Sequence, residues 1–405
     1  MRSKVFQIRR RSSLPFYCNP VLLFIFVWLV MLTSLWFKIT VVSYPNFSLP
    51  VLIFVASLLS FLLGYYLIRG LYRKHVNSCA SACYQIEVTR LRRFNLILAC
   101  AALPIIIYNY VVSGLPPFFG FFGLDAKSVN SYGRLEQLLA PILMSLFVNA
   151  FLDVSAKRKA FYAIYAFSWM LFYGARGGII FMLFQALVAL SIRTSMSKKK
   201  IYLIALASVV CGGVFFGVFG NYRTTNAILF AGMRIKPEFQ EWPTIYVWII
   251  SYISTALSNL CWYVDLARFD HATWTFSYTL LPSFWVPENP HVAMLTSSNI
   301  VDGTSTYLAS YFLDFSYFGI FLANLLLGIA SGIASVANRI GRNFLFWSVF
   351  LSCMGFIFFW DFFATLSVII LFSIQATAQR YFIQRLPPRR SFRKLEENAP
   401  ELSTL

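Results

Sequence analysis

Acidic residues are scarce in this chain. Asp and Glu number 15 against 34 Lys and Arg, with three histidines among 405 residues. No HExxH pair, paired-carboxylate metal motif or GxxxxGK loop occurs, which disfavours a zinc hydrolase and a nucleotide-driven enzyme. Any group transfer would then draw on a pre-activated substrate. A disulfide framework is lacking too: of Cys18, Cys79, Cys83, Cys100, Cys211, Cys261 and Cys353, only Cys261 faces outward in the topology set out below. Cys79 and Cys83 share a loop with His75 and read as ordinary thiols rather than a metal clip.

What the chain has in quantity is apolar surface. It is 59% hydrophobic, 19% aromatic and 12% charged. That composition defines an all-α, polytopic transmembrane bundle. The net charge of +19 is read as topological rather than as a nucleic-acid footprint, because basic residues collect in the loops that stay inside. Such clusters stand near Arg9–Arg11, Arg69–Lys74, Arg90–Arg93, Lys157–Lys159, Arg193–Lys200, Arg339–Arg342 and Arg380–Lys394. They also favour anionic lipid. The first apolar run, about 20–42, is too long for a signal-peptide core and lacks a small-x-small cleavage site, so it is expected to be an anchor.

The hydropathy pattern predicts about ten spans with both ends inside: 20–42, 50–68, 94–113, 135–153, 160–174, 178–192, 201–219, 315–335, 344–360 and 362–379. The resulting division is an N-terminal bundle 1–219, an outward loop 220–312, C-terminal spans 313–380 and an inside tail 381–405, which is expected to be disordered after Pro387-Pro388.

The window between the clusters at 157–159 and 193–200 is the most informative. The chain must leave and return inside it, yet each arm has only about 14 residues, short of the ~20 of a full span. The hairpin is broken at Gly174-Ala-Arg176-Gly-Gly178. Arg176 is therefore expected near the outer surface, where an arginine needs a wet cavity or an anionic partner. Arg223 follows Gly217-Val-Phe-Gly220-Asn-Tyr at the outer end of a span. Two guanidinium forks at one level suit a diphosphate; alternatively each snorkels or pairs with an acid such as Asp314.

In the outward loop, Tyr246 to Val264 is apolar enough for a span but is interrupted by Ser251, Ser254, Thr255, Ser258 and Asn259. Counting it as one would put the later basic clusters outside, so it is expected to lie on or dip into the outer interface. Trp242, Trp248, Trp262, Trp274 and Trp285 decorate this region as interface anchors or as platforms for sugar rings. Pro116-Pro117-Phe-Phe-Gly-Phe-Phe-Gly123 is expected to be a loop at the membrane surface beside a lipid tail. His271 and His291 face outward as candidate bases, with Pro287-Glu-Asn-Pro290 stiffening the approach to His291.

Several stretches resemble the Wzy-type O-antigen polymerases: Tyr173-Gly-Ala-Arg-Gly-Gly-Ile-Ile, Asn221-Tyr-Arg223, Ser258-Asn259-Leu, Thr275-Phe-Ser-Tyr-Thr-Leu-Leu-Pro282, and Asn299-Ile-Val-Asp-Gly-Thr-Ser-Thr306 leading to Asp314-Phe-Ser-Tyr-Phe-Gly319. The family pattern closes on Asp-Phe-Gly-x-x-Gly; here Ser316 replaces the first glycine. The likeness covers roughly residues 165–335. It implies a GT-C-like bundle with a large periplasmic loop in the bacterial inner membrane, joining oligosaccharide units carried on undecaprenyl diphosphate. No metal or cofactor is implied, the carrier being substrate. Arg176 and Arg223 would hold the departing diphosphate. His291, Asp302 or Asp314 would take the acceptor's proton, and Arg268, Asn259, Asn299, Thr304 and Trp285 would bind saccharide. A chain-length regulator and a flippase of the same pathway are the expected partners. The alternatives are O-antigen ligase, which the Asn299–Gly319 block disfavours, and a flippase or other transporter.

Overall fold

A computed structural model of the chain describes residues 5–8, 15–72, 84–122, 135–193, 230–266, 274–281, 305–339, 343–359 and 361–385, with a few positions between them. These residues are predominantly helical. The helices are α1 (Pro20–Trp36), α2 (Ser48–Leu71), α3 (Val88–Ser113), α4 (Glu136–Ala150), α5 (Ala156–Phe172), α6 (Arg176–Arg193), α7 (Thr244–Leu266), α8 (Leu308–Arg339), α9 (Phe344–Gly355) and α10 (Leu366–Phe382). Among the described residues α2, α3, α7 and α8 are long and apolar enough to cross a membrane; α1, α4, α6 and α9 hold shorter apolar stretches. The expected span 201–219 falls mostly outside the described residues.

Two helix groups share one core. In the first, α2 and α8 run together along most of their length. Glycine permits this closeness: a Cβ on Gly64 would collide with the Leu325 carbonyl, one on Gly328 with that of Phe61, and one on Gly332 would stand 3.0 Å from that of Tyr65. Gly328 and Gly332 form the small-xxx-small pattern of close-packed membrane helices. Polar groups join the same seam, where Asn324 donates to Ser57 Oγ at 3.1 Å. In the second group α4 is central, touching α3, α5, α6 and α10, while α6 packs on α9. The 160–192 hairpin thus exists: both arms touch α4, and α6 packs on α9 as well.

One end of the bundle carries a small sheet the sequence reading missed. Strands β1 (Val5–Ile8), β2 (Tyr84–Glu87) and β3 (Ile383–Arg385) pair antiparallel in the order β1-β2-β3. The opening of the expected inside tail is therefore ordered as β3. Beside the sheet Arg92 grips the buried Asp153 with two bonds of 3.1 Å, and Ser155 N–H donates to the same carboxylate at 2.9 Å. Burial raises the Asp153 pKa, but these bonds outweigh it and hold the group below the usual carboxylate range.

The opposite, loop end is more irregular. α1 stops at Trp36 rather than 42, because Lys38 takes a left-handed φ of 46°. The apolar residues beyond it turn to a different use. Thr40 bridges to Ile235, and Ile39 packs with Met233, Ile235, Val247 and Trp248. α9 likewise ends at Gly355, short of 360. α8 begins at Leu308, so the expected boundary at 312/313 lies inside it; its real discontinuity is Ser316, at φ 57°, ψ −148°.

Candidate functional site at the loop end

Gly174, at φ 63°, turns the chain from α5 into α6, and its N–H donates to Leu171 O at 2.9 Å. Arg176 is the first residue of α6. Free N–H groups and the dipole of a helix start favour an anion there. Beside this turn lies an aromatic shelf. Phe118 and Phe119, in the 3-10 segment Pro117–Phe122, pack on Phe172 with ring centroids 5.5 and 5.4 Å away. The stretch expected to be a loop thus forms a 3-10 helix over Pro117–Phe122.

About a turn and a half into α6, Phe181 meets Phe362 (5.5 Å) and Phe356 (5.8 Å) in the connection between α9 and α10. Asp361 caps this connection, its Oδ1 accepting from Phe363 N–H at 3.1 Å and Ala364 N–H at 3.3 Å. Burial pushes its pKa up to about 6, while the Tyr311 hydroxyl and the two capping N–H groups act in the opposite direction. Next to it, Thr279 donates to Ala364 O, tying the 3-10 segment Thr275–Leu280 to the Asp361 turn.

Asp314 holds the other end of that segment. Its carboxylate accepts from Thr275 Oγ1 at 2.7 Å and from Phe276 N–H at 3.0 Å. Two residues on, the backbone breaks at Ser316. A ring results: α8 binds the 275–280 segment through Asp314, that segment binds the α9–α10 connection through Thr279, and the connection returns to α8 through Asp361 and Tyr311. Asp314 was expected as a base or an arginine partner; its described bonds make it a clamp.

α7 also meets this end along its length. Tyr252 packs on Phe359 (5.7 Å), Ser258 Oγ accepts from Tyr44 N–H at 2.8 Å, and Trp262 Nε1 donates to Val42 O at 2.8 Å. Tyr44 in turn donates to Asp265 at 2.5 Å. Burial first, then the Asp265 carboxylate, raises the Tyr44 pKa well above the phenol range. Asn259 is buried in α7 and engaged, whereas Trp285 is mostly exposed.

Of the predicted site residues, the structure therefore describes Asp314, Asn259 and Trp285, and the backbone of Arg176. Arg223, His291, Asp302, Arg268, Asn299 and Thr304 lie outside the described residues, as do His271 and the Cys79–Cys83 pair. Asp361 falls between the expected spans 344–360 and 362–379, and sequence reasoning named neither it nor Tyr311 nor Thr279 as a site residue. A lone acid between two apolar runs was the available signal for Asp361. Among the described residues no group of three or more His, Cys, Asp or Glu could hold a metal ion.

These features define an all-α protein with membrane-spanning helices. Comparison with family models, with curated proteins and with solved structures finds no match.

Proposed function

We propose that this chain is an integral membrane glycosyltransferase that polymerises undecaprenyl-diphosphate-linked O-antigen repeat units at the periplasmic face. The growing glycan leaves its carrier and passes to an incoming lipid-linked unit. The observation that carries this reading is the placement of Arg176: it opens α6 beside the Phe118–Phe119–Phe172 shelf, at the end of the bundle where Asp314 and Asp361 organise the loops. An arginine at a helix start suits a diphosphate, and an adjoining aromatic surface suits its prenyl tail. Arg223 completes the grip on the leaving diphosphate. His291 or Asp302 takes the acceptor proton, while Asp314 holds the loop against which the saccharide lies. The sheet end, with its basic flanks, faces the cytoplasm.

The resemblance adds weight at Ser316. Its φ of 57° and ψ of −148° belong to a region occupied almost solely by glycine, and the family pattern has glycine there. Gel analysis of surface glycan tests the reading. Arg176→Ala and Arg223→Ala, each expressed at normal level in a deletion strain, should leave single-repeat lipopolysaccharide in place of long ladders. Wild-type ladders from both variants would refute the clamp. Loss of every capped form in the deletion strain would indicate the ligase instead, and intermediates trapped on the inner leaflet a flippase.

A further inference from the structure

The sheet end of the second helix group buries a set of carboxamides that no part of the proposed reaction uses. Asn95 on α3, Asn149 on α4 and Gln375 on α10 are all inaccessible to solvent. Neither the amide nitrogen nor the oxygen of any of the three has a hydrogen-bond partner among the described residues. Ser145 on α4 and Gln185 on α6 are buried and unpartnered in the same way.

Their depths coincide. β2 runs into α3 and α10 runs into β3, and the pairing of Ile86 with Ile383 puts those two junctions at one level. Asn95 and Gln375 each stand about seven residues, ~10 Å of helix, beyond the sheet. The Arg92–Asp153 pair sets the register of α4, and Asn149 is about one turn beyond Asp153, as Asn95 is beyond Arg92. The helices α3, α4 and α10 all touch one another. Along α4, Ser145 and Asn149 are one turn apart and share a face, as do Gln375 and Gln379 along α10.

Gln379 links this ladder to the surface. Its Nε2 donates to the half-buried Asn343 at 2.9 Å, and its Oε1 is unpartnered. A carboxamide brings two donors and an acceptor with two lone pairs, and leaving them unmet in a membrane interior carries a heavy penalty. The occupant must donate and accept alike and carry no charge. Arg92 and Asp153 are spent on each other, and Arg93 and Arg380, the other charges near this level, are exposed. Water satisfies these demands.

We propose that α3, α4 and α10 enclose a file of bound water that enters at Asn343 and Gln379 and reaches Asn95, Asn149, Gln375 and Ser145. It hydrates the cytoplasmic half of a bundle whose chemistry lies at the opposite end. Hydroxyl-radical footprinting of the full-length protein in lipid nanodiscs tests this, because bound water generates radicals beside the side chains it touches. Leu146 and Phe382 flank the ladder and are fully buried, as are Leu351 and Phe24 elsewhere in the core. Leu146 should be modified severalfold faster than Leu351, and Phe382 severalfold faster than Phe24. Equal rates within both pairs overturn the proposal. Asn149→Leu and Gln375→Leu should each slow labelling of Leu146 and Phe382 and lower the melting temperature. A raised melting temperature with unchanged labelling overturns it too, since a dry ladder gains from losing an unpaired amide. If either variant fails to fold, the wild-type comparison decides.

Discussion

Gly319 sits so close to the main-chain carbonyl of Tyr311 that a Cβ there would overlap the oxygen and stand 2.7 Å from the carbonyl carbon. The cause lies between them. Ser316 reverses the path of α8 and folds the Tyr311 turn against Gly319. Two features of the Asp314–Gly319 stretch therefore serve one bend, Ser316 making it and Gly319 leaving room for it.

Substitutions at these positions should act in opposite directions. Ser316→Gly removes backbone strain and should stabilise the protein by about 1 kcal/mol. Gly319→Ala must shift the bend and should destabilise by about 2 kcal/mol or more. Thermal melts of the purified variants in detergent check both. A Ser316→Gly variant that melts below wild type would contradict the strain argument.

The α2–α8 seam gives a sharper contrast between glycines. Gly328→Ala should cost about 2 kcal/mol, because the added methyl meets the Phe61 backbone rather than a movable side chain. Gly70→Ala, also in α2 but with nothing within 4 Å, should be neutral or mildly stabilising through helix propensity. Equal effects at the two sites would mean that the seam is looser than described.

Removing one partner of the Arg92–Asp153 pair leaves the other without its counter-charge. Arg92→Ala should therefore destabilise by about 3 kcal/mol. The pH dependence follows from the lowered Asp153 pKa. Its stabilisation is present above the unfolded carboxylate value of about 3.9 and is lost as pH falls through the still lower folded value. A denaturation series across acid pH should show this loss in wild type and not in Asp153→Asn.

Asp361 has the opposite sign. Its folded pKa of about 6 exceeds the ordinary aspartate value of 3.8, so the folded state binds more protons than the unfolded one between those limits. Stability attributable to this group should fall as pH rises from 4 to 6 and then level off. Asp361→Asn should flatten that segment of the curve. If the segment keeps its slope in the variant, another group is responsible.

Legibility in the sequence followed the range of the forces involved. The α5–α6 hairpin could be read because glycines and apolar arms are local signals, and the turn at Gly174 falls inside the expected break. The ends of α1 and α9 were misplaced because apolar residues beyond Trp36 and Gly355 serve tertiary packing rather than span length. Asp314 was singled out as a base or an arginine partner, whereas its bonds to Thr275 and Phe276 belong to a partner segment that no local pattern specifies. The sheet was invisible for a related reason: strands of three or four residues, far apart in the sequence, carry no periodicity long enough to detect.

That sheet has a consequence for assembly. β1 and β2 are available to each other once α1 and α2 are made, but β3 comes only after α3 to α10 in chain order. The third strand therefore works as a terminal latch: it can close only after the intervening helices have been inserted with the proper parity. Without β3, β2 would keep an open strand edge, a row of unpaired N–H and C=O groups ready to pair with another chain.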